Sequence, residues 1–140
     1  MLTDIHPLLT GDLLRHLDAM GHSDAVVVAD AHFPCARLAQ RMLVLPGLAA
    51  PHVLEAIRTV VPLDEAPALD LMGQPGGGRG EVQRELMEAA DVGEDGVRDL
   101  ERQAFYDAAA QAYLVIRTGE RRVYGNAILR KGVVTVAGEH

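Results

Sequence analysis

Two histidines and one aspartate surround a single apolar run, and their side chains are types that transfer protons or bind metal ions. His22 precedes the run AVVVA at 25–29, Asp30 follows that run directly, and His32 comes two residues later. Imidazole exchanges a proton near neutral pH, and carboxylates bind hydroxyl groups or metals. The pattern is compatible with acid–base chemistry or with a metal site formed by these three residues. No HExxH-type pair supports the metal site.

His22 directly follows Gly21, which we expect to end a helix in the left-handed conformation. The carbonyl end of a helix favours a cation by about 0.3–1 kcal/mol at an exposed site. An imidazole there would titrate near neutral pH and could donate or accept a proton. The alternatives are an ordinary histidine at a helix end and, for Asp30, a simple cap of the following loop.

Two further groups of candidates lie in the second half of the chain. Arg102 and Tyr106 are four residues apart in a predicted helix and share one face of it, either as binding groups or as a solvated charge over a ring. Tyr124, Gly125 and Asn126 interrupt a predicted strand. The glycine would allow a ligand to approach the backbone, and the amide suits sugar hydroxyls. The alternative for this segment is a plain bulge.

Three other motifs are weaker candidates for a functional site. The glycine-rich segment 73–80 precedes a predicted helix, but it lacks both the Gly-Lys-Ser/Thr of a P-loop and the GxGxxG spacing, so we expect a flexible loop. Ser23 lies between His22 and Asp24, and three adjacent residues cannot form a catalytic triad. Cys35 is the single cysteine; it cannot form an internal disulfide, and we expect an inert thiol in a reducing compartment.

Helical and strand-like patterns alternate along the chain, which predicts one layered α/β domain over 1–140. Thr10 is expected to cap the first helix, and Pro51 suits the first turn of the second. Two later helices are predicted at 80–91 and 97–112. Strands are expected at 25–30, 42–47 and 68–73, and the segments 113–120 and 122–130 are predicted to form a hairpin or a pair of neighbouring strands.

The overall composition limits the class of partner. Of the 140 residues, 49% are hydrophobic, which is enough for a core, and the formal net charge of −7 argues against nucleic acid and anionic lipid as partners. No apolar run approaches the roughly 18 residues that a membrane helix needs. The start MLTDIHPLLT lacks the pattern of a secretory signal, so we expect a cytoplasmic protein.

Three passages together resemble the L-fucose mutarotase/D-ribose pyranase family, and its L-fucose mutarotase branch most closely. They are LLRHLDAMGHSDAVVVADAHFP (13–34), ERQAFYDAAAQAYLVIRTGERRVYGNAILRKGV (101–133) and, more loosely, LTDIHPLLTGD (2–12). The motifs MGHxD, DAHFP, FY, TGER and YGN carry the resemblance. The glycine-rich segment 73–80 departs from the pattern of that branch, so the identity of the sugar stays open.

The resemblance implies a Rossmann-like α/β subunit with a mainly parallel central sheet and a ring-shaped homo-oligomer, a decamer, with sites near subunit contacts. It implies ring opening that interconverts the α- and β-anomers of a monosaccharide, with no metal or organic cofactor. The alternatives are pyranose–furanose conversion of ribose and a non-catalytic sugar-binding module. By resemblance the general acid is His22, and the sugar-binding residues are Asp30, Arg102, Tyr124, Gly125 and Asn126.

Overall fold

A six-stranded sheet lies between two layers of helices in a computed structural model that describes residues 1–136. The strands are β1 (Ala25–Ala29), β2 (Met42–Leu45), β3 (Leu69–Met72), β4 (Val97–Leu100), β5 (Leu114–Thr118) and β6 (Ala127–Arg130). The helices are α1 (Gly11–Ala19), α2 (Cys35–Leu38), α3 (Ala50–Arg58), α4 (Glu81–Ala90) and α5 (Arg102–Gln111), with a 3₁₀ turn at Glu94–Gly96. The last residues of the predicted domain, 137–140, lie outside the described part.

The strand order is β2-β5-β1-β6-β3-β4, and β6 alone runs antiparallel to its neighbours among the described strands. The predicted α/β domain with a mainly parallel sheet is confirmed. We call the edge where β1 and β3 end and β6 begins the upper edge, and the opposite one the lower edge. Because β6 is reversed, the residue before it reaches the same edge as the residue after β1.

Aliphatic side chains form most of the core on both faces of the sheet. Helices α1, α3 and α4 cover one face, and fully buried Leu54 and Ile57 contribute about 1.5–3 kcal/mol each. Helices α2 and α5 cover the other face, where both phenylalanines, Phe33 and Phe105, are buried. No helix in residues 1–136 is long and apolar enough to cross a bilayer.

The two helices predicted in the first half of the chain, α1 and α3, begin as predicted. The side chain of Thr10 caps α1 by accepting a hydrogen bond from the N–H of Leu13, and Pro51 lies in the first turn of α3. The end of α1 differs, because the helix stops at Ala19 and Gly21 is not left-handed. The left-handed residue of this turn is Ser23, at φ 68°.

Two predictions about the second half of the chain are wrong. The segment 97–112 is not one helix: its first four residues form β4, which pairs with β3, and α5 begins only at Arg102. On β4, Arg98 binds the fully buried carboxylate of Asp70 on β3 at 3.0 Å. Strands β5 and β6 form neither a hairpin nor a pair of neighbouring strands, because β1 lies between them and pairs with both.

Candidate functional site

A cavity of about 280 Å³ opens at the upper edge of the sheet. The ends of β1 and β3, the start of α5 and the segment before β6 all contribute to its wall. Its lining consists of Asp30, His32, Phe33, Met72, Arg102, Tyr106, Val123, Tyr124 and Asn126. The fold therefore brings together four of the six predicted site residues, from three separate parts of the chain.

Asp30 and Asn126 form the most buried polar pair of this cavity, with 6% and 3% of their surfaces exposed. The N–H of Asp30 donates to Asn126 Oδ1 at 2.7 Å, and Asn126 Nδ2 donates to Asp30 Oδ2 at 3.0 Å. The other carboxylate oxygen of Asp30 accepts from the N–H of His32 at 2.9 Å. These bonds fix the amide orientation, and they leave the second N–H of Asn126 Nδ2 and further lone pairs on both side chains for a ligand.

Helix α5 contributes a cation and an aromatic ring to the same wall. Arg102 is its first residue and Tyr106 lies one turn further on, so both face the cavity as their spacing predicted. The buried ring of Phe33 packs edge-to-face against Tyr106, with centroids 5.4 Å apart. The wall thus combines a guanidinium, which donates hydrogen bonds in a fixed fork, with apolar ring surface.

The segment before β6 adopts an unusual backbone. Tyr124 has φ 63°, in the left-handed region that side chains other than glycine seldom occupy. At Gly125 a Cβ atom would lie 2.8 Å from Glu120 Cγ and 3.2 Å from Val82 Cγ2. The glycine admits neighbouring groups of its own chain, and it is not in the cavity lining. The close approach expected for a ligand at Gly125 is thus made by the protein itself.

An ion-pair network supports this segment from behind. The buried carboxylate of Glu120 accepts from Arg122 Nη2 and Nε at 3.0 Å, and Arg122 also binds Glu85. Burial alone would raise the pKa of Glu120, but the hydrogen bonds from Arg122 outweigh it and hold that pKa below its ordinary value. The Glu120 carbonyl accepts from the N–H of Ala31 at 2.8 Å, which ties the network to the end of β1.

His22 lies at the lower edge, before β1, whereas the cavity begins after β1. A strand of this length spans about 16 Å, so one chain does not bring His22 to Asp30. The His22 side chain is 60% exposed, and its Nε2 lies 3.0 Å from Asp64 Oδ1. Hydrogen bonds from Ser23, the Glu65 N–H and His22 hold the pKa of Asp64 below its ordinary value.

The cation at the carbonyl end of α1 is Lys131. Its ammonium donates to the carbonyls of Leu17 and Met20 at 2.8 and 2.7 Å. An ammonium from the residue after β6 thus binds the carbonyl end of α1, while His22 binds Asp64.

The other sequence motifs have structural explanations. His22 is separated from Asp30 and His32, so one chain does not form the alternative three-residue metal site, and residues 1–136 hold no metal-competent cluster of three or more His, Cys, Asp or Glu. Burial raises the pKa of the Cys35 thiol, in agreement with an inert side chain. In the glycine-rich loop, Arg79 is bound by the carboxylates of Glu94 and Asp99 rather than free to hold a phosphate.

The lining residues with no predicted role in sugar binding are His32 and an apolar group, Phe33, Met72 and Val123. The sequence predicts for His32 only the role of a metal ligand. The signal for its place was present, because it follows the carboxyl end of a predicted parallel strand, where α/β proteins bind ligands. Val123 is 69% exposed at the rim, and hydrophobic pattern alone gives no reason to place it there.

Comparison with known proteins identifies the family. Residues 3–134 match the model of the RbsD / FucU transport protein family. The chain belongs to this family. An L-fucose mutarotase of Glaesserella parasuis is 39% identical to this RbsD / FucU member, over 97% of this chain and 98% of that protein. An L-fucose mutarotase of Actinobacillus pleuropneumoniae is 38% identical, over 97% of this chain and 99% of that one.

Solved structures agree with this assignment. The fucose mutarotase of Streptococcus pneumoniae in complex with L-fucose superposes with a TM-score of 0.88 at 31% identity, covering 96% of this RbsD / FucU chain and 100% of that one. Bacillus subtilis RbsD complexed with D-ribose superposes with a TM-score of 0.75 at 26% identity, covering 93% and 98%.

Proposed function

We propose that this protein is a sugar mutarotase that interconverts the α- and β-anomers of L-fucose or a closely related monosaccharide. The observation that carries the proposal is the buried Asp30–Asn126 pair at the floor of a cavity that also holds Arg102 and two tyrosines. Carboxylate, amide and guanidinium groups are suited to sugar hydroxyls. The close likeness to mutarotases over nearly the whole chain supports the same reaction.

In the proposed mechanism, Asp30 and Arg102 hold hydroxyl groups, Tyr124 packs against the sugar, and Asn126 orients the anomeric end. Gly125 packs behind them against Glu120 and Val82. A general acid protonates the ring oxygen while a base takes the proton of the anomeric hydroxyl, which opens the hemiacetal. Rotation about the C1–C2 bond lets the ring close on the other face. Positioned acid and base groups accelerate such proton transfers by about 10²–10⁴-fold each. These steps call for no metal or organic cofactor.

We propose His22 as the general acid, supplied by a neighbouring copy of the chain. The cavity of the same chain lies beyond the far end of β1, a strand that spans about 16 Å, whereas a head-to-tail contact would bring the lower edge of one copy to the upper edge of the next. Repeated around an axis, such a contact closes into a ring. We propose such a ring-shaped homo-oligomer, a decamer, with sites near subunit contacts. The single, buried Cys35 suits a reducing location, and we propose the cytoplasm.

The apolar part of the lining favours a 6-deoxy sugar. L-Fucose differs from L-galactose by a methyl group in place of a hydroxymethyl group, and Phe33, Met72 and Val123 provide apolar surface for it. This difference between the two sugars is worth about tenfold in selectivity for L-fucose over L-galactose. Conversion of ribose between pyranose and furanose forms is the second candidate. The likeness to the structure with D-ribose supports it, at a lower TM-score than the likeness to the structure with L-fucose.

The test is exchange NMR on L-fucose, L-galactose and D-ribose with the full-length chain. We expect faster α/β exchange for L-fucose than for L-galactose, and a loss of about 10²-fold in His22→Gln. His52→Gln, on the exposed face of α3, is the matched control and keeps the wild-type rate. Sugar binding without faster exchange would support the non-catalytic module instead. Acceleration of ribose ring-size exchange without fucose exchange would support the second candidate.

A further inference from the structure

The cavity contains one imidazole of its own, at His32, among the side chains that line it. Ring opening needs a group that accepts the anomeric proton and another that donates to the ring oxygen. His22 of the same chain lies at the other edge of the sheet, with Nε2 at 3.0 Å from Asp64. One chain therefore presents a cavity wall with a single imidazole in it.

The backbone on both sides of His32 is firmly anchored. Its N–H donates to Asp30 Oδ1 at 2.9 Å, and the following N–H, of Phe33, donates to the Asp30 carbonyl at 3.3 Å. The Phe33 ring is buried and packs edge-to-face against Phe105 and Tyr106. The His32 side chain itself is exposed toward the cavity. These contacts fix the position of the His32 backbone, and they leave the imidazole ring accessible to a ligand.

The chemistry of the other lining groups leaves them less suited to this proton transfer. A guanidinium remains protonated and a phenol is a weak acid, so neither side-chain type serves as a base near neutral pH. Both oxygens of Asp30 already accept hydrogen bonds, from the His32 N–H and from Asn126. Imidazole is the side-chain type that both takes and returns a proton between pH 5 and 8.

We propose that His32 is a second catalytic residue, the base that takes the proton of the anomeric hydroxyl; this inference rests on the proposed function. As the proton moves to His32, the C1–O1 bond becomes a carbonyl, the bond between C1 and the ring oxygen breaks, and the ring oxygen takes a proton from the general acid. In the return step the hydroxyl formed from the ring oxygen gives its proton back to that acid and attacks the other face of C1. The carbonyl oxygen then recovers the proton from the imidazolium of His32.

The experiment compares wild type, His32→Gln, His32→Ala and the matched control His52→Gln by exchange NMR on L-fucose from pH 5 to 8.5. We expect both His32 variants to lose about 10²-fold in kcat with KM changed little, and to lose one limb of the pH profile. Circular dichroism verifies that each variant is folded. The control keeps the wild-type values.

Two outcomes would overturn the role of His32 alone: wild-type exchange in both variants, or a raised KM with unchanged kcat and pH profile. Failure of the proposed function gives a different result. In that case the wild-type chain itself does not accelerate exchange of any sugar tested, and the proposed role of His32 is overturned as well.

Discussion

His22 and Asp30 lie beyond opposite ends of the same strand, β1, whose five residues span about 16 Å. His22 is tied to Asp64 at the lower edge, and Asp30 is paired with Asn126 at the upper edge. If both act on one sugar molecule, they come from different copies of the chain. The contact between two copies then forms part of the active site.

Mixed oligomers test this directly. His22→Gln and Asp30→Asn should each be nearly inactive, because each removes one half of every site. Co-refolding of the two variants in equal amounts should restore about a quarter of the wild-type sites, since a site between copies can then combine two intact halves. Exchange NMR on L-fucose before and after co-refolding measures the recovery. The contrary outcome is a mixture that stays inactive although mixed oligomers of native size form. That result would place both residues in one chain.

Asn126→Asp should disrupt the floor of the cavity. The substitution removes the Nδ2 donor that binds Asp30 at 3.0 Å and sets two buried carboxyl groups against each other. Repulsion would raise the pKa of one of them and leave a proton shared between the pair. We expect at least about tenfold weaker sugar binding and a loss of about 1–3 kcal/mol in the free energy of unfolding. Gln111→Glu is the control, since it makes the same change of an amide to an acid at an exposed position on α5. It should have little effect on sugar binding or on the free energy of unfolding.

Gly125→Ala should destabilise the protein and weaken sugar binding through the displaced Asn126. The added methyl would meet Glu120 Cγ at 2.8 Å and the Arg122 carbonyl at 3.2 Å, and Glu120 is fixed by Arg122. Overpacking of this kind costs about 1–3 kcal/mol. Gly11→Ala is the control, since nothing lies within 4 Å of its added methyl, and it should be neutral or slightly stabilising. Urea unfolding and sugar titration measure the two effects; equal stabilities would refute the packing argument.

The Glu120–Arg122 pair should make stability depend on pH in the acid range. The pKa of Glu120 is lower in the folded chain than its ordinary value, so the pair contributes fully above about pH 4.3 and loses its effect as the pH falls through the lowered pKa. Glu120→Gln should therefore cost about 1–3 kcal/mol at pH 7, and this difference from wild type should shrink below about pH 4. Urea unfolding between pH 3 and 7 is the measurement.

The exposed change Glu55→Gln on α3 is the control for that series, and it should remain within about 0.5 kcal/mol of wild type. A Glu120→Gln deficit that stays constant down to pH 3 would show that the ionised form of Glu120 contributes nothing.

Local signals in the sequence predicted much of the fold. The starts of α1 and α3 and the strand β1 depend on neighbours a few residues away. The signals are the hydroxyl of Thr10, the early Pro51 and the apolar run 25–29. The strand β4 could not be found this way, because the charged sequence of 97–100 also suits a helix. Its extended form depends on pairing with β3, where Arg98 meets the buried Asp70.

The candidate site shows the same division. Asp30 and Asn126 were identified through the family resemblance, but their mutual hydrogen bonds depend on the reversed direction of β6. The cation at the carbonyl end of α1 could not be predicted, because it is the ammonium of Lys131, more than a hundred residues later in the chain.

Tyr124 carries a cost in stability that serves the cavity. Its left-handed backbone, at φ 63°, is one that glycine adopts without penalty. Thermostability screens that score only unfolding should therefore favour Tyr124→Gly, although the same change removes a ring from the cavity wall. Heat stability and the proposed contact with the sugar make opposing demands at this position, and variants chosen for one should be checked for the other.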